Sequence, residues 1–551
     1  MPTPPTSLIP AGRVDPRERR YLLPTRVLWT SGAVKNPQNL LIDDLTTCTL
    51  EPAKPGALSS ILLDFGRELH GGFRLETPQA GPGKPVRVRI RFGESAAEAM
   101  GEPNNDHTIH DHELRVSWFG HTEVGNTGFR FVRIDVIDAE VPLTLRNCYA
   151  VFLFHDLPYL GSFRCSDSRL NRIWDVGAYT VHLCIQDHVW DGIKRDRLVW
   201  IGDLHPEMRV ISTVFGGISA VPASLDYVRD RTPLPGWMNG IGSYSLWWIL
   251  CHRDWYRYHG DLAYLQQQRS YLLGLLNQVR GQLDPQGLEK LAGHRFLEWP
   301  TSRDPTAIDA GLQALVVMAL RAGSELCRAL GEADAAAAAS ADADRAAKVR
   351  RRPTPSKQAH ALMVLAGMAD AGETNAAVLA KDPDRGLSTF YGYYILQARA
   401  RAGDVSGALQ LIRNYWGGML DRGATTFWEG FELEWLDGSG RIDELTPAGS
   451  KDLHSDYGDY CYVGLRHSLC HGWAAGPTAW MVENLLGVTP ATPGFESIRV
   501  EPKLGGLDWV EGHVPTPHGV LHVRHERTAA GGVSSTLTGS EELKQRVVGR
   551  A

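Results

Sequence analysis

One mark recurs through the middle of this chain: a helical stretch runs into a glycine, and the next residue is acidic. It occurs at Gly260-Asp261, Gly331-Glu332, Gly372-Glu373 and Gly403-Asp404. Glycine suits the left-handed position after a helix, and a carboxylate suits the positive end of the helix that follows. Repeated between residues 158 and 487, the mark predicts an array of antiparallel helix pairs. Twelve helices closed into an (α/α)6 barrel fit that length; an open solenoid of hairpins is the other arrangement the pattern allows.

The flanks read differently. Ser60–Phe65, Val86–Phe92 and Phe129–Val136 alternate apolar and polar residues with period two, the pattern of half-buried antiparallel strands, and clusters such as Gly81-Pro82-Gly83 separate them. Residues 1–157 are therefore expected to form a β-sandwich. Near Cys165 the period changes, where Ser166-Asp167 can cap a helix carrying Leu170, Ile173, Trp174 and Val181. After Gly487 the β pattern returns in Phe495–Pro502 and Gly519–Arg524, so 488–551 should be a small β domain leaning on its neighbours. The fold class expected is multidomain: an (α/α)6 barrel catalytic domain flanked by an N-terminal β-sandwich and a small C-terminal β domain. The alanine-rich piece Ala333–Ala347 reads as an exposed outer helix.

Several function classes lose ground early. A net charge of −6 with no basic stripe argues against nucleic acid and anionic membranes as partners. Eight cysteines lack metal-knuckle spacing, so neither a zinc site nor a disulfide framework is suggested. The N-terminal Met1–Thr6 shows no basic-then-apolar leader, and the apolar runs fall short of ~20 residues; the expected location is the cytoplasm. A glycine-rich phosphate loop, a GxSxG elbow and HExxH are all missing from the sequence.

Chemistry concentrates in four clusters. Trp190 to Asp203 packs three aspartates, one lysine, two arginines and two tryptophans into fourteen residues. Charges set between large aromatics answer one another or hold a ligand, and carboxylates near indole rings suit a sugar-cleaving site. A structural ion-pair cluster is the plainer reading. The second cluster, Phe296–Ser302, places Glu298 and Trp299 before a proline; Glu298 there either meets a ligand, caps a helix or pairs with Arg295. The third, Gly423–Phe431, carries Glu429 between Trp428 and Phe431. The fourth, Ser468–Ala474, carries His471 at a helical spacing. Glycoside hydrolysis needs two carboxylates flanking the scissile bond. Asp196 and Glu429 offer them from distant parts of the chain.

Stations in chain order now resemble one family. Asp64-Phe65-Gly66 with Arg91-Phe92-Gly93-Glu94, Cys165-Ser166-Asp167 with Leu170–Trp174, Arg195-Asp196-Arg197 with Trp200-x-Gly202-Asp203, Thr425-Thr426-x-Trp428-Glu429, and Pro493-Gly494-Phe495 with Ile498 and Pro502 resemble the α-L-rhamnosidases of glycoside hydrolase family 78. The resemblance implies inverting, exo-acting release of terminal α-L-rhamnose from glycosides or oligosaccharides. It implies Asp196 as general acid, where the family has glutamate, and Glu429 as general base. Asp191 and Asp203 would hold sugar hydroxyls, with Trp200, Trp299 and Trp428 walling the pocket; Arg195, Glu298 and His471 complete the expected substrate contacts. Glu207 is the alternative acid. No cofactor or metal is required, the partner is a rhamnoside, and a homodimer is the one protein assembly left open.

Two rivals keep the fold. One is a glycosidase for another sugar, or for a rhamnose–uronate linkage read by Lys194, Arg195 and Arg197 through charge-assisted bonds. The other is a catalytically silent carbohydrate-binding protein, allowed by the aspartate at the acid position.

Overall fold

The structure is a computed structural model that describes residues 14–54, 56–79, 83–102 and 110–550. The leader reading at Met1–Thr6 and the Gly81-Pro82 punctuation lie outside them. The N-terminal region is sheet, built from β1 (Glu18–Leu22), β2 (Arg26–Ser31), β3 (Val34–Lys35), β4 (Cys48–Leu50), β5 (Ser59–Thr77), β6 (Val86–Gly93), β7 (Asp111–Val116), β8 (Gly120–Val136), β9 (Leu143–Leu145) and β10 (Asn147–Phe154). Seven strands form an antiparallel sheet in the order β1-β10-β5-β8-β6-β7, with β2 also on β5, and β3-β4-β9 form a second, smaller sheet. Leu50, Leu143 and Leu145 of the small sheet close a core over Ile61, Val88, Ile90, Val132 and Ile134 of the large one.

The period-two reading places Val88 and Ile90 correctly but misplaces Arg91, which is buried. Helix α1 (Ala96–Met100) folds over that face, and Arg91 donates to the carbonyls of Met100 and Gly101. The outer face of the sheet is covered, because the helical region docks there. Gly128 N donates to Ile193 O at 2.8 Å, and Ala96 N to Ile442 O at 2.9 Å.

The helical region holds α2 (Ser168–Cys184), α3 (Ile201–Val214), α4 (Ala220–Asp230), α5 (Gly242–His259), α6 (Leu262–Arg280), α7 (Pro305–Ala329), α8 (Ala333–Ala347), α9 (Lys357–Leu365), α10 (Ala371–Thr374), α11 (Gly392–Arg401), α12 (Val405–Asp421) and α13 (Gly476–Met481). Asp167 caps α2 by accepting from Arg169 N and Leu170 N, as its position before the apolar period predicts. Helices α3, α5, α7, α9, α11 and α13 each pack on the next, and α13 returns to α3, so the odd-numbered helices close a ring. Among them α7 is long and apolar enough to cross a membrane by length and composition; here it is a ring helix, mostly buried.

Three of the four glycine–acid marks sit at helix junctions. Gly260 is left-handed and Asp261 caps α6; Gly403 precedes Asp404, which caps α12; Gly331 precedes Glu332 at the start of α8. Gly372-Glu373 does not. It lies inside α10, and the junction is supplied earlier by left-handed Gly367 and the cap Asp370. A short linker with its own Asx cap had displaced the turn by five residues.

Beyond the ring, β11 (Ser162–Cys165), β12 (Val488–Pro490), β13 (Ile498–Val500), β14 (Trp509–Thr516), β15 (Gly519–Arg527), β16 (Val533–Thr538) and β17 (Val547–Arg550) make two further sheets, β11-β14-β15-β16 and β12-β13-β17. Strand β11, just before α2, thus belongs to the C-terminal sheet.

Candidate active site

The loop before α3 is fixed by its own backbone. Asp191 N donates to Leu198 O at 3.0 Å, and Leu198 N returns to Asp191 Oδ1 at 3.0 Å. Asp196 and Arg197, inside this closed loop, have φ of 51° and 54°. Two consecutive side-chain-bearing residues in the left-handed region are costly and persist only where the surroundings impose them, as they often do at functional sites. Trp200 then enters α3, and Asp203 stands in its first turn, where the helix dipole favours a carboxylate. Gly202 between them faces the Tyr244 ring so closely that a methyl group there would overlap it.

Glu429 comes from the segment between α12 and α13. Its segment pairs with 468–471 in strand fashion: Glu429 N donates to Ser468 O at 2.9 Å and His471 N to Phe427 O at 2.9 Å. Thr389 Oγ1 and Trp473 Nε1 donate to the Glu429 carbonyl at 2.6 and 2.9 Å, and Ser468 N donates to its carboxylate Oε2 at 3.2 Å. The backbone of Glu429 is held at both its N–H and its carbonyl, and its carboxylate by Ser468 N, before any ligand arrives.

These two segments meet in a cavity of about 350 Å³ lined by Asp191, Arg195, Asp196, Trp200, Asp203 and Glu429, with Tyr244, Trp299, His471 and Trp473 among the remaining walls. Arg195 hydrogen-bonds Glu429 through Nη2, and its Nη1 lies 3.5 Å from Asp196 Oδ1. Burial disfavours the Arg195 charge, yet the Glu429 carboxylate outweighs burial and holds the guanidinium above its ordinary range. His471 Nε2 sits 3.7 Å from Asp191, 3.8 Å from Asp203 and 3.8 Å from Glu429. Burial pushes Asp191 and Asp203 well above the usual carboxylate range and His471 well below its own. Burial thus biases the two carboxyls toward their protonated form and the imidazole toward its neutral form, a lining suited to sugar hydroxyls. Asp196 is the exposed carboxyl at the rim, with a third of its side chain open.

Among the residues expected from sequence, Asp191, Arg195, Asp196, Trp200, Asp203, Trp299, Glu429 and His471 line this one cavity. Trp428 does not; it is fully buried, edge-on to Phe431, and belongs to the core. The tight pairing of 427–429 with 468–471 turns the carboxylate of Glu429 inward and its preceding indole away. Glu298 lines an adjoining cavity of about 220 Å³ that shares Trp299, Glu429 and Trp473 with the first. Its carboxyl accepts from the Ser388 hydroxyl, and burial pushes it up to about 8. Glu207, the alternative acid, is one helical turn below Asp203, 1% exposed, and outside both linings. His471 is extended rather than helical, with φ −138°. Sequence reasoning missed Tyr244, Asn239, His294 and Cys461 on the wall. Tyr244 donates to Asp203 Oδ1 at 3.2 Å, a contact that nothing local to residue 244 announces.

The three cations offered for a uronate each have partners within the chain. Lys194 is buried, Arg195 is committed to Glu429, and Arg197 donates to Asn126 O at 2.6 Å. Glu94, Glu98 and His454 have the donor set of a metal site, but the Lys194 ammonium stands among them, 2.8 Å from Glu98 and 3.5 Å from His454. A cation would have to displace it, so these residues do not fit a metal.

Residues 158–353 match the bacterial alpha-L-rhamnosidase six-hairpin glycosidase domain, and 487–538 match the bacterial alpha-L-rhamnosidase C-terminal domain. An alpha-L-rhamnosidase of Alteromonas sp. (strain LOR) is 23% identical over 91% of this chain and 57% of that protein. The GH78 rhamnosidase structure of Bacillus sp. GL1 superimposes with a TM-score of 0.72 at 25% identity, over 91% of this chain and 54% of that one. A rhamnosidase from Klebsiella oxytoca with rhamnose bound shares the fold at a TM-score of 0.66 and 18% identity, over 85% of this chain and 96% of its own. The chain thus spans little more than half the length of the Alteromonas and Bacillus proteins. Family domains, curated relative and solved structures agree in making this chain similar to α-L-rhamnosidases, which are glycoside hydrolases.

Proposed function

We propose that this chain is an inverting, exo-acting glycoside hydrolase that releases terminal α-L-rhamnose, with Asp196 as general acid and Glu429 as general base. The observation that carries the reading is the single guanidinium of Arg195 touching both carboxyls. A guanidinium is small, so its two contacts bring the carboxyls close enough to flank one glycosidic bond, as acid–base hydrolysis by paired carboxylates requires. The asymmetry of the two groups fits their roles. Glu429 is buried and hydrogen-bonded to Arg195, which fixes its position inside the cavity; Asp196 is at the open rim, where a leaving group departs.

In this mechanism rhamnose enters the cavity with its hydroxyls on Asp191, Asp203 and His471 and its ring against Trp200 and Trp299. Asp196 protonates the glycosidic oxygen, and Glu429 takes a proton from water attacking the opposite face of C1. A cavity on the scale of one or two sugar rings favours a terminal residue over an internal one. The test is hydrolysis of p-nitrophenyl α-L-rhamnoside beside other nitrophenyl sugars, with the product anomer read by NMR. Release of β-rhamnose first, abolished by Glu429→Gln, is the expected result. Retention of the α configuration, or unchanged turnover in the variant, overturns the assignment.

A further inference from the structure

Behind the Arg195–Glu429 pair lies a second set of buried charges that neither carboxyl role uses. Glu94, at the end of the β6 strand, and Glu98, in α1, reach from the N-terminal sheet region to Lys194, the residue before Arg195. Lys194 Nζ is 2.8 Å from Glu98 Oε1 and 3.5 Å from Glu94 Oε2, and donates to the carbonyls of Leu465 and His467 at 2.5 and 2.8 Å. Glu94 Oε2 accepts from Leu469 N at 2.6 Å, and its Oε1 accepts from the Ser468 hydroxyl at 3.3 Å. Ser95 Oγ lies 2.7 Å from His454 Nδ1, whose Nε2 is 2.8 Å from His467 O.

Burying such charges is expensive, and a docking interface that only needed stability is better served by apolar side chains. What these contacts share is their end point. All reach 465–469, and that segment holds Glu429: Ser468 N donates to its carboxylate, Ser468 O accepts its N–H, and His467 Nε2 accepts from Gly430 N at 2.9 Å. The other partner hangs from the same frame, because Arg195 Nε donates to Arg466 O at 3.1 Å and Gly128 N of β8 holds Ile193 O.

We propose that Glu94 and Lys194 are positioning residues, through which the N-terminal sheet region sets the Arg195–Glu429 pair and so forms part of the active site. The inference rests on Glu429 being a reacting carboxyl. Burial pushes the Glu94 carboxyl up to about 8, against the pull of Lys194, and a glutamine keeps its shape and one acceptor oxygen for Leu469 N.

The full-length Glu94→Ala, Glu94→Gln and Lys194→Met variants are compared with wild type and Glu429→Gln for kcat, KM and Tm on the nitrophenyl rhamnoside, and the Glu94→Ala crystal structure is solved. Glu94→Ala should lose about 10- to 100-fold in kcat with KM little changed, since small misplacements of reacting groups cost that much. Glu94→Gln should recover most of the loss, and Lys194→Met should fall with Glu94→Ala. The crystal structure should show Ser468-Leu469 moved and the Glu429–Arg195 contact lengthened. Wild-type kcat in folded Glu94→Ala, equal losses in the alanine and glutamine variants, or an undisturbed Glu429–Arg195 contact would overturn the proposal. A wild type silent on rhamnosides, or an active Glu429→Gln, instead sinks the role given to Glu429, and the crystal structure still decides the positioning. If Glu94→Ala does not fold, the kcat and crystal structure of Lys194→Met decide on the same criteria.

Discussion

Arg195 is hydrogen-bonded to Glu429 across 234 residues of chain, with only 8% and 4% of their side chains exposed. Removing one partner of a buried pair leaves the other charge without compensation, typically at a cost of about 3–5 kcal/mol. Arg195→Met should therefore lower stability by about that amount in urea denaturation and abolish turnover. A double variant, Arg195→Met with Glu429→Gln, should recover much of the stability and none of the activity. A double variant no more stable than the single one would show that the pair is not the origin of the loss.

Asp196 can be separated from Glu429 by the leaving group. General-acid help is worth about 10²–10⁴-fold when the departing alcohol is poor, and far less when it is a nitrophenolate. Asp196→Asn should lose activity by roughly that factor on an alkyl or sugar rhamnoside while keeping a larger share on p-nitrophenyl rhamnoside. Equal losses on both substrates would remove Asp196 from the acid role.

Glu298 gives a pH signature in stability. Burial raises its carboxyl from an ordinary 4.5 to about 8, with Ser388 opposing the shift. Between those values the folded chain holds a proton that the unfolded chain has released, so this group's contribution to stability falls as pH rises through the window. Glu298→Gln carries no such proton, and the variant should gain on wild type by about 2–4 kcal/mol between pH 5 and pH 8. Parallel stability–pH curves for the two proteins would refute the shift.

Gly472 has no room for a side chain. A methyl built there overlaps the buried carboxyl of Glu207, whose Oε1 has no hydrogen-bond partner. Gly472→Ala should cost about 1–3 kcal/mol, the range for overpacking a tight site, and weaken sugar binding by moving His471. Glu207→Ala in the same chain should relieve most of the destabilisation, as measured by Tm. No relief would place the strain elsewhere.

Much of the organisation was legible because local physics writes it into the chain. Period-two runs gave the N-terminal strands, and Gly260-Asp261 and Gly403-Asp404 gave helix junctions because left-handed glycine and N-capping carboxylates act over a few residues. The clusters around Asp196 and Glu429 stood out because charge beside aromatic rings is rarely idle. What resisted reading depended on partners far away. Arg91 looked solvent-facing until α1 covered it, and Trp428 looked like a pocket wall until 468–471 paired with its backbone.

The sequence by itself determined the order of sheet, helical hairpins and sheet, and the kinds of side chain available for the chemistry, since propensity, capping and periodicity are properties of neighbours along the chain. Only the tertiary structure decided that Arg195 touches both Asp196 and Glu429, that Lys194 turns inward to Glu94 and Glu98, and that Glu207 lies below the cavity floor. Those outcomes follow from closing the helical ring and docking the sheet on it, where contacts form between residues hundreds of positions apart and burial fixes which charges can remain.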